Sequence, residues 1–204
     1  MNTSYYLDIN NFARHTSWAH AFMSGYAYLG GVAFLAFLLL VAWWRARSGP
    51  WASQTVAAVV WAGIGAVVAV GLAQPINHAM AELRPYYALH GVEVLVPRAH
   101  DFSFPSDHAT FAGAVMAGLW LTHRDRWLAV IGTAAALLLA FARVYAGAHY
   151  PADVLAGLVL GATVVLVIRP LTMPLLRGIT KVMDQTPLWF LVESRAARRV
   201  GAGW

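Results

Sequence analysis

The chain has 204 residues, of which 60% are hydrophobic and only 11% are charged, whereas charged residues make up roughly 25% of a typical soluble domain. Its mean hydropathy is +0.59, and the uncharged run 21–44 would form about 36 Å of helix, which exceeds the roughly 30 Å core of a bilayer. These values exclude a soluble globular domain, a disordered chain and a collagen-like protein.

The charge balance and the lack of cysteine narrow the function further. The formal net charge is +5. In a membrane protein, an excess of basic residues is first explained by the loops that face the cytoplasm and not by nucleic-acid binding, so we expect no nucleic-acid partner. The sequence contains no cysteine, which excludes a disulfide framework, a thiolate nucleophile and a cysteine-ligated metal. Residues 1–20 lack a basic n-region and a small-residue cleavage site, so we expect no cleaved signal peptide.

The hydrophobic stretches predict an all-α integral membrane bundle that forms one domain over 1–204. The predicted transmembrane helices are 21–44, 51–80, 105–122, 127–146 and 151 to 168 or slightly beyond. Pro151 suits the first turn of the last helix, where its missing N–H breaks no hydrogen bond, whereas Pro170 and Pro174 are expected to fray its other end. Residues 85–104 contain prolines and charges and are predicted to form a loop.

Two flanking segments are predicted to lie on the membrane surface. In the basic tail, about 178–204, Thr186 precedes the apolar run 188–192 and three arginines, Arg195, Arg198 and Arg199. This pattern is typical of an interfacial amphipathic helix, with a disordered basic tail as the alternative. The stretch 8–20 is also compatible with a helix that lies flat.

The basic residues predict the orientation of the bundle. With five spans, the loops after the first and third spans share one side with the tail, and this side carries Arg45, Arg47, Arg124, Arg126, Arg177, Lys181, Arg195, Arg198 and Arg199. The opposite side carries Arg14, Arg84, Arg98 and Arg143. The positive-inside rule therefore predicts that the C-terminus is cytoplasmic and that the 85–104 loop lies outside.

Polar residues concentrate at the outer ends of the predicted helices. Charged residues at membrane depth are rare, and where they occur they usually belong to a functional site. The topology collects Arg84, Ser106, Asp107, His108, Arg143, His149 and Asp153 at the same end. Arg84 or Arg143 alone would fit an interfacial arginine whose head reaches water. Together they favour an anion site, because guanidinium forks match phosphate oxygens. We therefore predict a phosphate site there.

The start of the third span adds further anion donors. Ser106 fits either a helix N-cap or a phosphate donor, and the free backbone N–H groups that follow, including that of Asp107, attract anions. The Asp107 carboxylate would repel phosphate, so we assign it a structural role in the first turn. The alternative is a metal site, because imidazole and carboxylate groups bind metals and the sequence places four of them close together, at His100, Asp101, Asp107 and His108.

The spacing of His149 and Asp153 predicts a nucleophile. The two residues are four apart, so a carboxylate on the first helical turn can reach the imidazole and hold one nitrogen as N–H. The other nitrogen is then free to attack, and His108, from another helix, is the natural general acid for the leaving group. This interpretation needs no cofactor and no metal.

The complete pattern resembles the three-part signature of the type-2 phosphatidic-acid phosphatase superfamily over residues 77–153. The matching residues are Arg84-Pro85, Pro105-Ser106-Asp107-His108, and Arg143 followed by His149 and Asp153. The form Phe-Pro-Ser-Asp-His looks like the bacitracin-resistance type of undecaprenyl-diphosphate phosphatase. The resemblance implies a multi-pass enzyme of the bacterial cytoplasmic membrane that hydrolyses a lipid diphosphate on the outer face and requires no metal.

Three positions depart from the usual family residues: Asn77 replaces Lys, Asp107 replaces Gly and Ala142 replaces Ser. Asn77 lies two helical turns before Arg84 and is predicted to reach the phosphate region as an uncharged donor. The alternatives are a phosphatase for phosphatidic acid, phosphatidylglycerol phosphate or a prenyl-phospho-sugar, and a non-catalytic protein that binds lipid phosphate. Five spans argue against a soluble vanadate-dependent peroxidase.

Overall fold

The computed structural model describes residues 2–49, 51–122 and 125–194, and in these ranges every regular element is helical. The helices are α1 (Asn2–Arg14), α2 (His20–Gly25), α3 (Gly31–Ala46), α4 (Ala52–Met80), α5 (Pro85–Ala88), α6 (Asp107–Leu121), α7 (Arg126–Tyr145) and α8 (Pro151–Asp184). Shorter turns are the 3-10 turns Ser17–Ala19 and Pro187–Leu191 and the π-helical turn Tyr26–Gly30. The predicted all-α class is confirmed.

All five predicted spans occur as helices. In the described ranges, the segments that are long and apolar enough to cross a bilayer are Ser17–Ala46, Ala52–Ala88, Arg126–Tyr145 and Pro151–Asp184. Helix α6 has 15 residues, about 22 Å of helix, and it packs against α3, α4, α7 and α8. The protein is therefore a multi-span membrane bundle with a short helix at its centre.

Close packing of α6 against α8 sets the geometry of the bundle. A Cβ atom added at Gly113 of α6 would overlap the Leu158 carbonyl, and one added at Gly161 of α8 would overlap the Thr110 carbonyl. Small residues let helix backbones approach closely in membranes. This approach brings the first turns of α6 and α8 together, where the Ser106 N–H donates to the Asp153 carbonyl at 3.1 Å.

The predicted end of the last span is wrong, because α8 continues through Pro170 and Pro174 to Asp184. Proline removes a backbone donor but is tolerated in membrane helices where other groups satisfy the freed carbonyls. The donors missing at Pro170 and Pro174 leave the carbonyls of Leu166 and Pro170 without their helical partners. Between the two prolines, the Thr172 hydroxyl donates to the neighbouring carbonyls of Ile168 and Arg169 at 3.3 Å. The helix therefore extends beyond the predicted frayed end.

The flanking segments differ in part from the predictions. Helix α1 covers Asn2–Arg14, so the helix begins before the predicted stretch 8–20. Thr186 accepts a hydrogen bond from the Leu188 N–H at 3.2 Å, but the turn that it caps is a short 3-10 helix, Pro187–Leu191. Arg195, Arg198 and Arg199 of the predicted surface helix lie outside the described residues.

The helix arrangement generates a topology prediction. Gly91 is exposed and has open space around its Cβ position, so a small epitope inserted there should not disturb packing. We expect this epitope to be labelled from outside in intact cells, whereas a reporter fused after residue 204 should be labelled only after permeabilisation. An epitope at 48–49 is the control and should behave like the tail. External labelling of the tail would contradict the five-helix topology.

Candidate active site

The site lies where four chain segments meet at one end of the bundle. Arg84 precedes α5, Ser106 precedes α6, Arg143 lies in the last turn of α7, and the turn between α7 and α8 carries His149. Asp153 lies in the first turn of α8. All five side chains are buried, so the structure brings together the residues that the sequence collects at one end.

His149 is the centre of this arrangement. Its Nε2 atom lies 2.9 Å from Arg84 Nη1 and 3.2 Å from Arg143 Nη2. A guanidinium group only donates, so Nε2 accepts and carries no proton. The Nδ1 atom lies 2.8 Å from the Ser103 carbonyl and therefore donates to it. This tautomer leaves the Nε2 lone pair directed at the two arginines.

The surroundings of His149 keep its imidazole neutral. Burial, followed by the positive charges of Arg143 and Arg84, lowers the pKa of His149 well below the ordinary value of 6.5. Each of these effects disfavours the protonated ring. A neutral imidazole with an unprotonated Nε2 is the form that can act as a nucleophile at neutral pH.

Asp153 reaches His149 through an intermediate group and not by the predicted direct hydrogen bond. The Asp153 Oδ2 atom lies 3.6 Å from His149 Nδ1, beyond normal hydrogen-bond length. Oδ2 instead accepts from the Ser103 hydroxyl at 2.5 Å and from the Tyr150 N–H at 2.9 Å. Asp153 thus holds the segment whose Ser103 carbonyl orients the imidazole. Ser103 was not among the predicted site residues.

Arg84 is held on two sides. Its Nε and Nη2 atoms donate to the two oxygens of Asp101 at 3.0 and 2.9 Å, and Nη1 also donates to the Ala148 carbonyl at 3.2 Å. The Asp101 side chain is 49% exposed, whereas that of Arg84 is 6% exposed. A two-pronged ion pair fixes the plane of the guanidinium. Asp101 therefore directs Nη1 of Arg84 towards His149.

The π-helical turn Tyr26–Gly30 supplies two carbonyls to the site. Arg143 Nη1 donates to the Ala27 carbonyl at 3.0 Å, and His108 Nε2 lies 3.0 Å from the Tyr28 carbonyl. Turns of this kind often occur at functional sites because they redirect backbone groups. His108 is partly exposed, unlike His149, so it lies on the more open side of the site.

Ser106 is free to donate to a ligand. It occupies the N-cap position of α6, but its side chain makes no capping hydrogen bond. Its hydroxyl oxygen is buried and has no hydrogen-bond partner among the described residues. A buried hydroxyl without a partner is unfavourable, so this geometry favours the phosphate-donor interpretation over the N-cap one.

Asn77 contacts the loop before α6. Its amide nitrogen donates to the carbonyls of Phe102 and Phe104, each at 3.1 Å, which uses both amide hydrogens. In this arrangement Asn77 has no hydrogen left to donate to a phosphate, contrary to the prediction, and it supports the 102–104 segment that carries Ser103.

Asp107 and the proposed metal ligands have other contacts. Asp107 Oδ1 accepts from Gln74 Nε2 at 3.0 Å, in keeping with a structural role in the first turn of α6. Asp101 pairs with Arg84, and His100 stacks on Tyr87. Over the described ranges, no three His, Asp or Glu side chains converge as a metal-binding group.

Comparison with known proteins identifies the family. Residues 58–175 match the PAP2 superfamily, which comprises the type-2 phosphatidic-acid phosphatases. The chain belongs to this superfamily. It is 34% identical over 162 residues, 78% of each chain, to a protein named undecaprenyl-diphosphatase BcrC from Bacillus subtilis strain 168. The predicted family is therefore confirmed.

The other relatives include both a second undecaprenyl-diphosphatase and a phosphatase named for a different lipid. An undecaprenyl-diphosphatase from Sulfolobus acidocaldarius is 36% identical over 99 residues, so this chain spans about half of that relative, 48% of its length. A lipid A 1-phosphatase from Rhizobium johnstonii is 48% identical over 60 residues, which cover 29% of this chain and 24% of that relative. The crystal structure of Aquifex aeolicus LpxE superposes with a TM-score of 0.62 at 28% identity, over 81% of this chain and 92% of that one. The protein is a membrane lipid phosphatase of the PAP2 type.

The Asp101–Arg84 pair generates the first site prediction. Asp101→Asn removes the charge from a carboxylate that fixes a buried guanidinium, and hydrogen bonds to charged groups contribute roughly 1.5–3 kcal/mol. We expect kcat/KM to fall by about ten-fold or more. Steady-state phosphate release would measure this effect, and the same change in an Arg84→Lys background should cost less. A higher kcat/KM in Asp101→Asn would instead mean that Asp101 competes with phosphate for Arg84.

Asn77 generates a second prediction. Asn77→Ala leaves two loop carbonyls without their donor, which costs about 1–3 kcal/mol where such groups are buried. We expect a lower melting temperature in thermal unfolding of the purified protein. Gln74→Ala, which removes one hydrogen bond to another helix, that to Asp107, and one to the Val70 carbonyl of its own helix, serves as the control and should have a smaller effect. An unchanged melting temperature with a raised KM would restore the phosphate-donor role of Asn77.

Proposed function

We propose that this protein hydrolyses a polyprenyl diphosphate of the undecaprenyl type to the monophosphate, through a phospho-histidine intermediate on His149. The observation that carries the proposal is the convergence of two buried guanidinium groups on the unprotonated Nε2 of His149. The similarity to BcrC over 78% of both chains supports the choice of substrate. The Sulfolobus relative supports the same choice over a shorter match.

In the first step, the terminal phosphate of the substrate binds between Arg84 and Arg143, and their N–H groups donate to the phosphate oxygens in place of Nε2 of His149, which frees its lone pair. Nε2 of His149 attacks the terminal phosphorus, a P–N bond forms, and the P–O bond to the lipid monophosphate breaks. The two guanidinium groups and the Ser106 hydroxyl stabilise the charge on the equatorial oxygens, which is the main contribution that a protein makes to phosphoryl transfer. Nδ1 keeps its proton on the Ser103 carbonyl throughout.

His108 handles the proton in both steps. It donates to the oxygen of the departing lipid monophosphate, and it then removes a proton from the water that attacks the phospho-histidine. The second step breaks the P–N bond, releases orthophosphate and returns Nε2 to its unprotonated form. Its partial exposure next to the buried nucleophile supports this role, and no step uses a metal or a cofactor.

We also propose that the site faces the outside of a bacterial-type cytoplasmic membrane. The site lies at the ends of the helices, opposite the end with Arg45, Arg126 and Lys181, so the positive-inside rule supports an external site and a cytoplasmic C-terminus. A headgroup in the outer leaflet lies at this depth. The partners are then the lipid substrate and the surrounding membrane lipids.

A second candidate substrate is a lipid that carries a phosphate monoester, such as lipid A. The match to the Rhizobium johnstonii lipid A 1-phosphatase favours it, because this is the highest identity among the relatives described above, although it covers 29% of this chain. Phosphatidic acid and phosphatidylglycerol phosphate belong to the same chemical group. The unprotonated Nε2 of His149 between two arginines argues against a non-catalytic protein, the alternative suggested by the departures at Asn77 and Ala142.

The substrate test compares these lipids directly. Protein purified in detergent would be incubated with a C55 polyprenyl diphosphate, phosphatidic acid or lipid A, each with and without EDTA, and phosphate release would be measured. We expect the highest kcat/KM for the diphosphate and no effect of the chelator. A kcat/KM about ten-fold higher for a monoester would overturn the diphosphate assignment.

Variants of the two histidines separate the nucleophile from the acid. His149→Ala should abolish the acid-labile, base-stable radioactive phospho-enzyme that wild type forms with a labelled substrate. His108→Ala should still form it, and should retain turnover of an aryl phosphate whose leaving group needs no proton. His90→Ala, at an exposed position, is the control. Equal labelling of wild type and His149→Ala would contradict the assignment.

A further inference from the structure

Helix α1 (Asn2–Arg14) lies against the segment that carries His149, and it does so with one face. Asn2, Tyr6, Asn10 and Ala13 are spaced by four, four and three residues, which places them on the same side of a helix. Tyr6, Asn10 and Ala13 are buried. Two of the side chains on this face are polar amides, so this face is suited to hold backbone groups as well as to pack.

Tyr6 contacts the residues on both sides of the nucleophile. Its ring is fully buried and packs edge-on against Tyr150, with ring centroids 5.4 Å apart. Its hydroxyl donates to the Gly147 carbonyl at 3.4 Å. Gly147 and Tyr150 flank His149, so a displacement of Tyr6 would move the turn on which the imidazole stands.

Two further contacts hold the ends of the same turn. The Asn2 side-chain oxygen accepts from the Ala152 N–H in the first turn of α8 at 3.1 Å. The Thr16 hydroxyl, just after α1, lies 2.7 Å from the Tyr145 hydroxyl at the end of α7. The segment 145–152 is therefore bound by α1 and its extension from its first residue to its last.

Asn10 adds a layer between α1 and the turn. Its amide nitrogen donates to the Glu93 carbonyl and its oxygen accepts from the Glu93 N–H, both at 2.8 Å. The Leu95 N–H in turn donates to the Ala146 carbonyl at 3.0 Å. Gly147 has a φ of +80°, and a Cβ there would overlap the Glu93 carbonyl. The 93–95 loop is thus packed between α1 and the nucleophile turn.

We propose that α1 is a positioning strap, which holds the 145–152 segment so that Nε2 of His149 lies between Arg84 and Arg143. The inference rests on the proposed function only in taking His149 as the nucleophile. It assigns a role in the reaction to a helix that lies outside the residues matched to the superfamily. Tyr6 and Asn10 contact Gly147, Tyr150 and Glu93 and act through the turn, so they are positioning residues and not catalytic ones.

The sequence offers matched pairs for the test. Asn10 is buried and its neighbour Asn11 is exposed, while Tyr6 is fully buried and Tyr5 is 61% exposed. Asn10→Ala and Tyr6→Ala would be compared with Asn11→Ala and Tyr5→Ala in the full chain, in lipid nanodiscs. The measurements are kcat and KM for phosphate release from a C55 polyprenyl diphosphate and from phosphatidic acid, and the melting temperature.

We expect Asn10→Ala and Tyr6→Ala to lower kcat by about ten-fold or more, because small misplacements of a reacting group have effects of this size or larger. KM should change by less than about two-fold, because both arginines remain in place. Tyr6→Phe, which keeps the ring contact, should recover most of kcat. Asn11→Ala and Tyr5→Ala should stay within about two-fold of wild type in every measurement.

Binding of orthovanadate provides a readout that a purely structural role would not move. Orthovanadate resembles the transition state of phosphoryl transfer only when it bonds to the nucleophile, whereas orthophosphate needs only the arginines. The strap variants should weaken vanadate binding about ten-fold and leave phosphate binding within about two-fold, as measured by calorimetry. If Asn10→Ala does not fold, Asn10→Asp keeps the acceptor for the Glu93 N–H and allows the same comparison.

The outcomes separate the strap from the proposed function. Wild type that releases phosphate from neither lipid would refute the proposed function, and vanadate calorimetry would still test the strap. The strap is overturned if Asn10→Ala matches Asn11→Ala. It is also overturned if kcat falls with vanadate binding unchanged, or if wild type binds no vanadate.

Discussion

Two buried arginines that share one acceptor are the constraint on which the rest of this structure depends. Arg84 and Arg143 lie 2.9 and 3.2 Å from Nε2 of His149. Two positive charges that contact the same atom repel strongly where little water screens them. Each guanidinium is therefore held by its own partners, Asp101 and Ala148 for Arg84 and the Ala27 carbonyl for Arg143. A phosphate between them would offset the repulsion, so the two neighbouring positive charges make the site selective for an anion.

The fold meets this constraint by placing the charged groups of the site at helix ends or in the segments next to them. The close approach of α6 and α8 at Gly113 and Gly161 joins the first turns of both helices, and α7 ends beside them at Tyr145. Charged groups buried deeper in the bundle would incur a larger desolvation penalty. The placement also suits the chemistry, because the headgroup of a lipid substrate lies at the depth of the helix ends while its tail stays in the hydrocarbon.

The site residues that the sequence predicts act through charged or ionisable side chains, whereas several of those that it does not predict act through backbone carbonyls. Arg84, Arg143 and His149 interrupt or end apolar runs, where a charge is conspicuous, and order along the chain is enough to place them at one end. Ser103 orients His149 through its carbonyl, and the residues of the π-helical turn also act through carbonyls, which give no signal in the residue type. Asn77 lies in the last turn of α4, which ends at Met80 before it reaches Arg84. The path of the 102–104 loop, which no periodicity predicts, determines what the Asn77 amide meets.

The π-helical turn Tyr26–Gly30 also affects how this chain compares with others. A turn of this kind contains about one residue more than an α-helical turn, and one residue rotates a helix by about 100°. The parts of the first span before and after it therefore face the bundle in different phases. A relative that lacks the turn would align with this chain only across a single-residue gap there, and homology models or grafted chimaeras built without that gap would turn α1 and α2 away from the helices they contact.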